Sequence, residues 1–212
     1  MADTVDLTTA RGRRAFLIAM CRRRQRPGTG SNLETLMEGG PWMVWPDLSE
    51  VLGPIPWAVI GAVATRQYMP ERVTKDLDVV IADADGREAA RRLREAGWEE
   101  TGRLMIGGAS WLSPQGVGLD LVECGEPWCR EAIAEAQGNR DKQGLPILPL
   151  PYLVLTKLRA SRGRDVGDLT QMLGMADEAE RERVRETVAR YAPEDTEDVD
   201  ALIELGKLET GR

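Results

Sequence analysis

Histidine is absent from the 212-residue chain. That one absence removes imidazole general acid/base chemistry, histidine metal sites and Ser-His-Asp triads. Any chemistry must then use carboxylates, lysine, arginine, hydroxyls or a metal held by oxygen. Cysteine is scarce too: Cys21, Cys124 and Cys129 are odd in number and lack zinc-type spacing. They read as three reduced thiols of a cytoplasmic protein. Long apolar runs are missing. The nearest approach, "AFLIAMC" at 15–21, is far too short to span a bilayer, and Arg22, Arg23 and Arg24 follow where a cleavage site would stand. No membrane association is expected. Lysine occurs only at 75, 142, 157 and 207, so each lysine retained in an arginine-rich chain draws notice.

What is present is an apolar fraction of 42%, slightly lean but enough for a core at this length. A net charge of −7 argues against wrapping nucleic acid through phosphate contacts, although it leaves room for a basic nucleotide pocket. Residues 1–40 stand apart, with seven arginines against two aspartates up to position 30. They read as a basic, flexible extension holding one short helix around Phe16 to Met20. A nucleic-acid-binding arm is the alternative.

Residues 41–149 read as an α/β core. "WAVIG" (57–61) suits a buried strand, and "AVATRQY" (62–68) a short helix stopped by Pro70. "DLDVVIA" (76–82) is a second strand followed by a turn. "REAARRLREAG" (87–97) is an amphipathic helix with Ala89, Leu93 and Ala96 on one face. "WEETGRLM" and "GASWLS" suggest a hairpin, "VGLDLVE" (117–123) a further strand, and Trp128 to Ala136 a short helix. Residues 150–212 read as a helical subdomain. Pro151 falls in the first turn of one helix, Asp165 caps the next, 177–192 forms a third, and the acidic tail frays or closes with a short helix.

Asp-x-Asp occurs three times, at 76/78, 83/85 and 198/200, so the spacing alone means little. The first copy leads an apolar strand. Alternation puts Asp76 and Asp78 on one face with Cα atoms roughly 6.6 Å apart. Two carboxylates that close repel unless a cation or proton joins them, and Mg²⁺ suits one or two carboxylates plus substrate phosphates. The alternative is a solvated strand end. Asp120 is another lone acid in an apolar strand, and pairing of the two strands would gather three carboxylates as metal ligands or a base. The turn at Gly61 offers backbone N–H groups to a phosphate, or simply tight strand–helix packing. Lys157 offers a point charge, or a surface lysine.

In order and spacing, these residues resemble the nucleotidyltransferase superfamily, in particular its AbiEii-like toxin and related bacterial branches. The resemblance runs over about 56–175. "VIGAVATRQYMPERVTKDLDVVI" is similar to the family's strand, Gly turn, helix and Arg-x-Thr-x-Asp-x-Asp segment, with Arg72, Thr74, Asp76 and Asp78 in the matching places. Asp120 matches the later strand acid. "KLRASRGRDVGDL" matches the closing helices through Lys157, Ala160, Arg162 or Arg164, Asp165 and Asp168.

The resemblance implies a mixed β-sheet flanked by helices with a C-terminal helical subdomain. It implies Mg²⁺ on Asp76, Asp78 and Asp120, and a nucleoside triphosphate such as ATP met by Gly61, Ala62, Arg72, Thr74 and Lys157. It further implies transfer of a nucleoside monophosphate to an RNA, protein or small-molecule acceptor, and an antitoxin-like protein partner. Where the family often carries a second Gly and then Ser, this chain has Ala62 and Ala64. That departure leaves open a degenerate module that binds or regulates without catalysis.

Overall fold

In a computed structural model, residues 6–24, 44–70 and 74–211 are described. The chain forms two compact units, residues 39–149 and residues 1–38 with 150–212.

The first unit is built on a five-stranded mixed sheet. Its strands are β1 (Trp57–Ile60), β2 (Asp76–Ala82), β3 (Glu99–Arg103), β4 (Gly108–Leu112) and β5 (Gly118–Cys124), in the order β1-β2-β5-β4-β3. Only β2 and β5 run parallel, which requires a crossover. That crossover carries the amphipathic helix and the hairpin expected from sequence. Strand alternation divides the faces. Leu77, Val79 and Ile81 of β2 join Leu119 and Leu121 of β5 and Ala109 and Trp111 of β4 on a face that is almost entirely buried. The opposite face of β2 carries Asp76 and Asp78, then Val80 and Ala82. It passes from exposed to buried along the strand.

In chain order the helices are α1 (Ala10–Arg24), α2 (Ser49–Leu52), α3 (Gly61–Thr65), α4 (Gly86–Glu95), α5 (Cys129–Ala136), α6 (Leu150–Ala160), α7 (Gly163–Met175), α8 (Glu178–Tyr191) and α9 (Thr196–Thr210). Helix α4 buries Ala89 and Leu93 as its periodicity predicts. Its outer face is laced by Glu88 with Arg91 and Arg92, and the Arg91 hydrogen bond holds the Glu88 carboxyl down at about 2.

The second unit is helical throughout its described residues. Helix α1 packs against α9 and α7 rather than trailing as a free arm. Arg14 of α1 is 1% exposed. It donates to Ser161 Oγ at 2.6 Å and to Asp198 at 2.8 Å, and it pairs with Asp195. A buried guanidinium with its donors engaged fixes a helix that a loose extension would leave unplaced.

Helix α8 starts on a capping box, Asp177 accepting from the Glu180 N–H at 2.8 Å. Its Arg181 donates to the carbonyls of Leu173 and Gly174 at 2.9 and 3.0 Å, satisfying the end of α7. The acidic tail, expected to fray or close briefly, forms the full fifteen-residue helix α9. No described helix is long and apolar enough to cross a membrane.

Helices α7 and α9 meet backbone to backbone. A Cβ on Gly206 would sit 2.3 Å from the Thr170 carbonyl oxygen and 2.6 Å from Gly174 N. Alanine gains helix propensity of up to about 1 kcal/mol over glycine, but backbone atoms give way less readily than side chains. Gly206→Ala is therefore expected to be a net destabilisation by overpacking of about 1–3 kcal/mol, read as a lower urea midpoint with an unchanged slope.

Candidate functional site

The acid pair gains its geometry from register. Asp78 of β2 lies opposite Asp120 of β5, and Asp76 lies opposite Gly118. Neighbouring strands are about 4.8 Å apart, so Asp78 and Asp120 project from adjacent points on one face. Ser110 of β4 lies opposite Asp120 on its other side and donates to Asp120 Oδ1 at 2.6 Å. Ser110, Asp120 and Asp78 form a polar row across three strands, all three half-buried.

Gly61 closes on this row from β1. It has φ +65°, and a Cβ there would lie 1.9 Å from Asp78 Oδ2. The turn is glycine because the Asp78 carboxylate fills the space a side chain would need. Gly118 does the same for Asp76, where a Cβ would fall 2.3 Å from Oδ1. The helix after Gly61 is anchored at its far end. Arg66 donates to Asp141 at 3.1 Å and to Gln143 at 2.8 Å, and Asp141 in turn accepts from the Leu145 N–H. Ala62 is half-buried, whereas Ala64 is fully buried. A hydroxyl at 64 would enter packed interior, so only the departure at 62 falls beside the acids.

The other expected residues are placed as follows. Thr74 is half-buried, and its hydroxyl donates to the Asp76 carbonyl at 3.3 Å. Arg72 lies outside the described residues. Lys157 belongs to the helical unit, on α6, and it is not a surface lysine. Its ammonium is 7% exposed and lies 2.6 Å from Asp168 and 3.7 Å from Asp165. Asp165 also accepts from the N–H of Arg162, at 3.0 Å. The cap residue of α7 is therefore Arg162, and Asp165 sits a turn inside, facing the lysine.

The two repeat copies of Asp-x-Asp find ordinary work. Asp83 and Asp85 occupy the 3₁₀ turn after β2, while Asp198 and Asp200 bind Arg14 and Arg185. The cysteines differ from the expected three thiols: Cys124 and Cys129 are joined as a disulfide with Cα atoms 6.1 Å apart, and Cys21 lies outside that bridge. Spacing of five residues between the end of β5 and the start of α5 brings the two cysteines together.

Among the described residues, no three ligating side chains are gathered closely enough to hold a metal ion. The sheet supplies an in-register pair, with Asp76 one step along the strand. That pair still fits a hard divalent cation. The donors are carboxylate oxygens, Gly61 admits the Asp78 carboxylate where a side chain would collide with it, and Mg²⁺ ordinarily takes one or two carboxylates with water and phosphate completing its shell.

No family model matches the chain. No curated protein matches it either. Among solved structures it is similar to the antibiotic-resistance factor ANT(2'')-Ia, an aminoglycoside nucleotidyltransferase, at 16% identity and a TM-score of 0.39, over 74% of this chain and 84% of that one. A likeness of that depth does not assign a function. The geometry of the acid row does not depend on it.

Proposed function

We propose that the protein is a Mg²⁺-dependent nucleotidyltransferase that moves a nucleoside monophosphate from a nucleoside triphosphate to an acceptor hydroxyl or phosphate. The observation that carries this reading is the register of Asp78 with Asp120 beneath the Gly61 turn. Asp78 and Asp120 would hold the ion, with Asp76 completing the acidic face from the exposed start of β2. A cation bound there supplies charge neutralisation on the transferring group and aligns the attacking and leaving oxygens.

The chain's own residues do the rest. Gly61 keeps the Asp78 carboxylate in place and, with Ala62, presents the turn to the phosphates. Thr74 secures the backbone at Asp76. As an alternative to ligation, Asp120 is the base: it takes the proton of the acceptor hydroxyl as that oxygen bonds to the α-phosphorus and the bond to pyrophosphate breaks. Arg72 is the proposed phosphate contact.

Incubation with each α-labelled nucleoside triphosphate and Mg²⁺, across RNA, protein and small-molecule acceptors, tests the reading. Label transfer is expected, with loss in Asp78→Asn and Asp76→Asn. No transfer to any acceptor, together with no triphosphate binding by calorimetry, would overturn it.

A second reading is favoured by Lys157, whose charge is already met by two carboxylates. On that reading the fold is a degenerate module that binds or regulates, for instance beside an antitoxin-like partner. Triphosphate binding without transfer is its signature.

A further inference from the structure

We infer that Ser110 is a positioning residue for Asp120, committing one carboxylate oxygen to a hydroxyl so that the other is left to ligate a metal ion. The inference rests on the nucleotidyltransferase reading and deepens it. Three observations carry it.

The first is the bond itself. Ser110 Oγ donates to Asp120 Oδ1 at 2.6 Å, the length of a hydrogen bond to a charged acceptor. A serine hydroxyl has one proton to give, and here it goes to the carboxylate.

The second is register. Ser110 and Asp120 are directly opposed across the antiparallel β4–β5 ladder, where side chains this short can meet. A slip of one residue would turn Ser110 to the buried face. The register is pinned at the connecting turn, where Ser113, 6% exposed, accepts from the Val117 N–H at 2.9 Å and the Gln115 N–H at 3.2 Å.

The third is what the bond is not needed for. Asp120 is half-exposed, so water would satisfy its carboxylate at little cost. Among the described residues Ser110 is the one hydrogen-bond donor that meets it. A protein donor at that place fixes rotation of the carboxylate, which solvent does not. Ligating carboxylates are characteristically held by such outer hydrogen bonds.

The test is Mn²⁺ binding, followed by loss of the free-ion signal in electron paramagnetic resonance. The unsubstituted chain is compared with Ser110→Ala, Ser110→Thr, Asp120→Asn and Asp78→Asn. Ser110→Ala is expected to weaken Mn²⁺ binding about tenfold or more without lowering the melting temperature, because removing an outer-shell partner typically costs ~10–100-fold in metal affinity. Ser110→Thr keeps the hydroxyl and is expected to restore most of the affinity. Binding that disappears in Asp78→Asn and Asp120→Asn but is unchanged in Ser110→Ala overturns the assignment of Ser110 alone. Binding by the unsubstituted chain no tighter than by Asp78→Asn overturns the metal reading, and the role of Ser110 with it.

Discussion

Lys157→Ala is expected to destabilise the helical unit by about 3–5 kcal/mol, the cost typical of breaking a buried ion pair by removing one partner. The lysine side chain is 7% exposed, and its partners Asp165 and Asp168 are 3% and 5% exposed. Truncation takes from the Asp168 carboxylate the ammonium that lies 2.6 Å away, in a place where water cannot fully replace it. It also leaves a void the length of the lysine stem. Urea unfolding followed by helical circular dichroism reads the loss directly. The double substitution Lys157→Met/Asp168→Leu, which removes both charges, is expected to recover much of it. A cost below about 1 kcal/mol for Lys157→Ala, the value of an exposed pair, would show that the ion pair is not structural.

Gly61→Ala is expected to disrupt the sheet unit through a single methyl. At φ +65° an alanine pays about 1–2 kcal/mol for a left-handed backbone. Its Cβ would also lie 1.9 Å from Asp78 Oδ2, 2.6 Å from Cγ and 2.9 Å from Cβ. Aspartate is too short to swing clear of all three, so the carboxylate leaves its rotamer or β1 parts from β2, adding a further ~1–3 kcal/mol of overpacking. The expected total is therefore about 2–5 kcal/mol, read from the shift of the unfolding midpoint. Nucleotidyl transfer and Mn²⁺ binding fall with it, even at temperatures where the chain remains folded. If Asp78 is displaced, ligation fails before folding does. Full Mn²⁺ affinity in a folded Gly61→Ala chain would separate the glycine from the acid.

The sequence made some of this arrangement legible. Apolar alternation marks β2 and β5, and the helical period marks α4. The anomaly of acids in those strands singles out Asp76, Asp78 and Asp120. What it withholds is register. Nothing local to "GASWLS" distinguishes Ser110 from Ala109 or Trp111 as the residue that will face Asp120, because that follows from the turn at Ser113 and from the ladder as a whole. The same limit hides the meaning of Gly61, whose need for glycine arises from a carboxylate seventeen residues later.

Lys157 illustrates the converse. Its retention among arginines signals a special environment, yet the partners sit on the next helix, where Asp165 looks like an N-cap until the cap proves to be Arg162. Basic composition likewise suggested a loose N-terminal arm. Arginine in bulk reads as solvated surface, but one of them, Arg14, is buried against acids almost two hundred positions away, and composition cannot register that.

That last contact bears on how the protein is made. Arg14 and Asp198 are separated by 184 residues, so α1 docks on a helix made long after it. Until α7 and α9 are made α1 lacks the surfaces it packs on, and Ile18, buried in the folded unit, is left to solvent in the nascent chain. Helices α6 to α9 are contiguous and close through short connections, while α1 is separated from them in sequence by the whole sheet unit, and contacts of such large sequence separation form slowly. Within the helical unit α1 is thus the piece that must wait for its partners to be made.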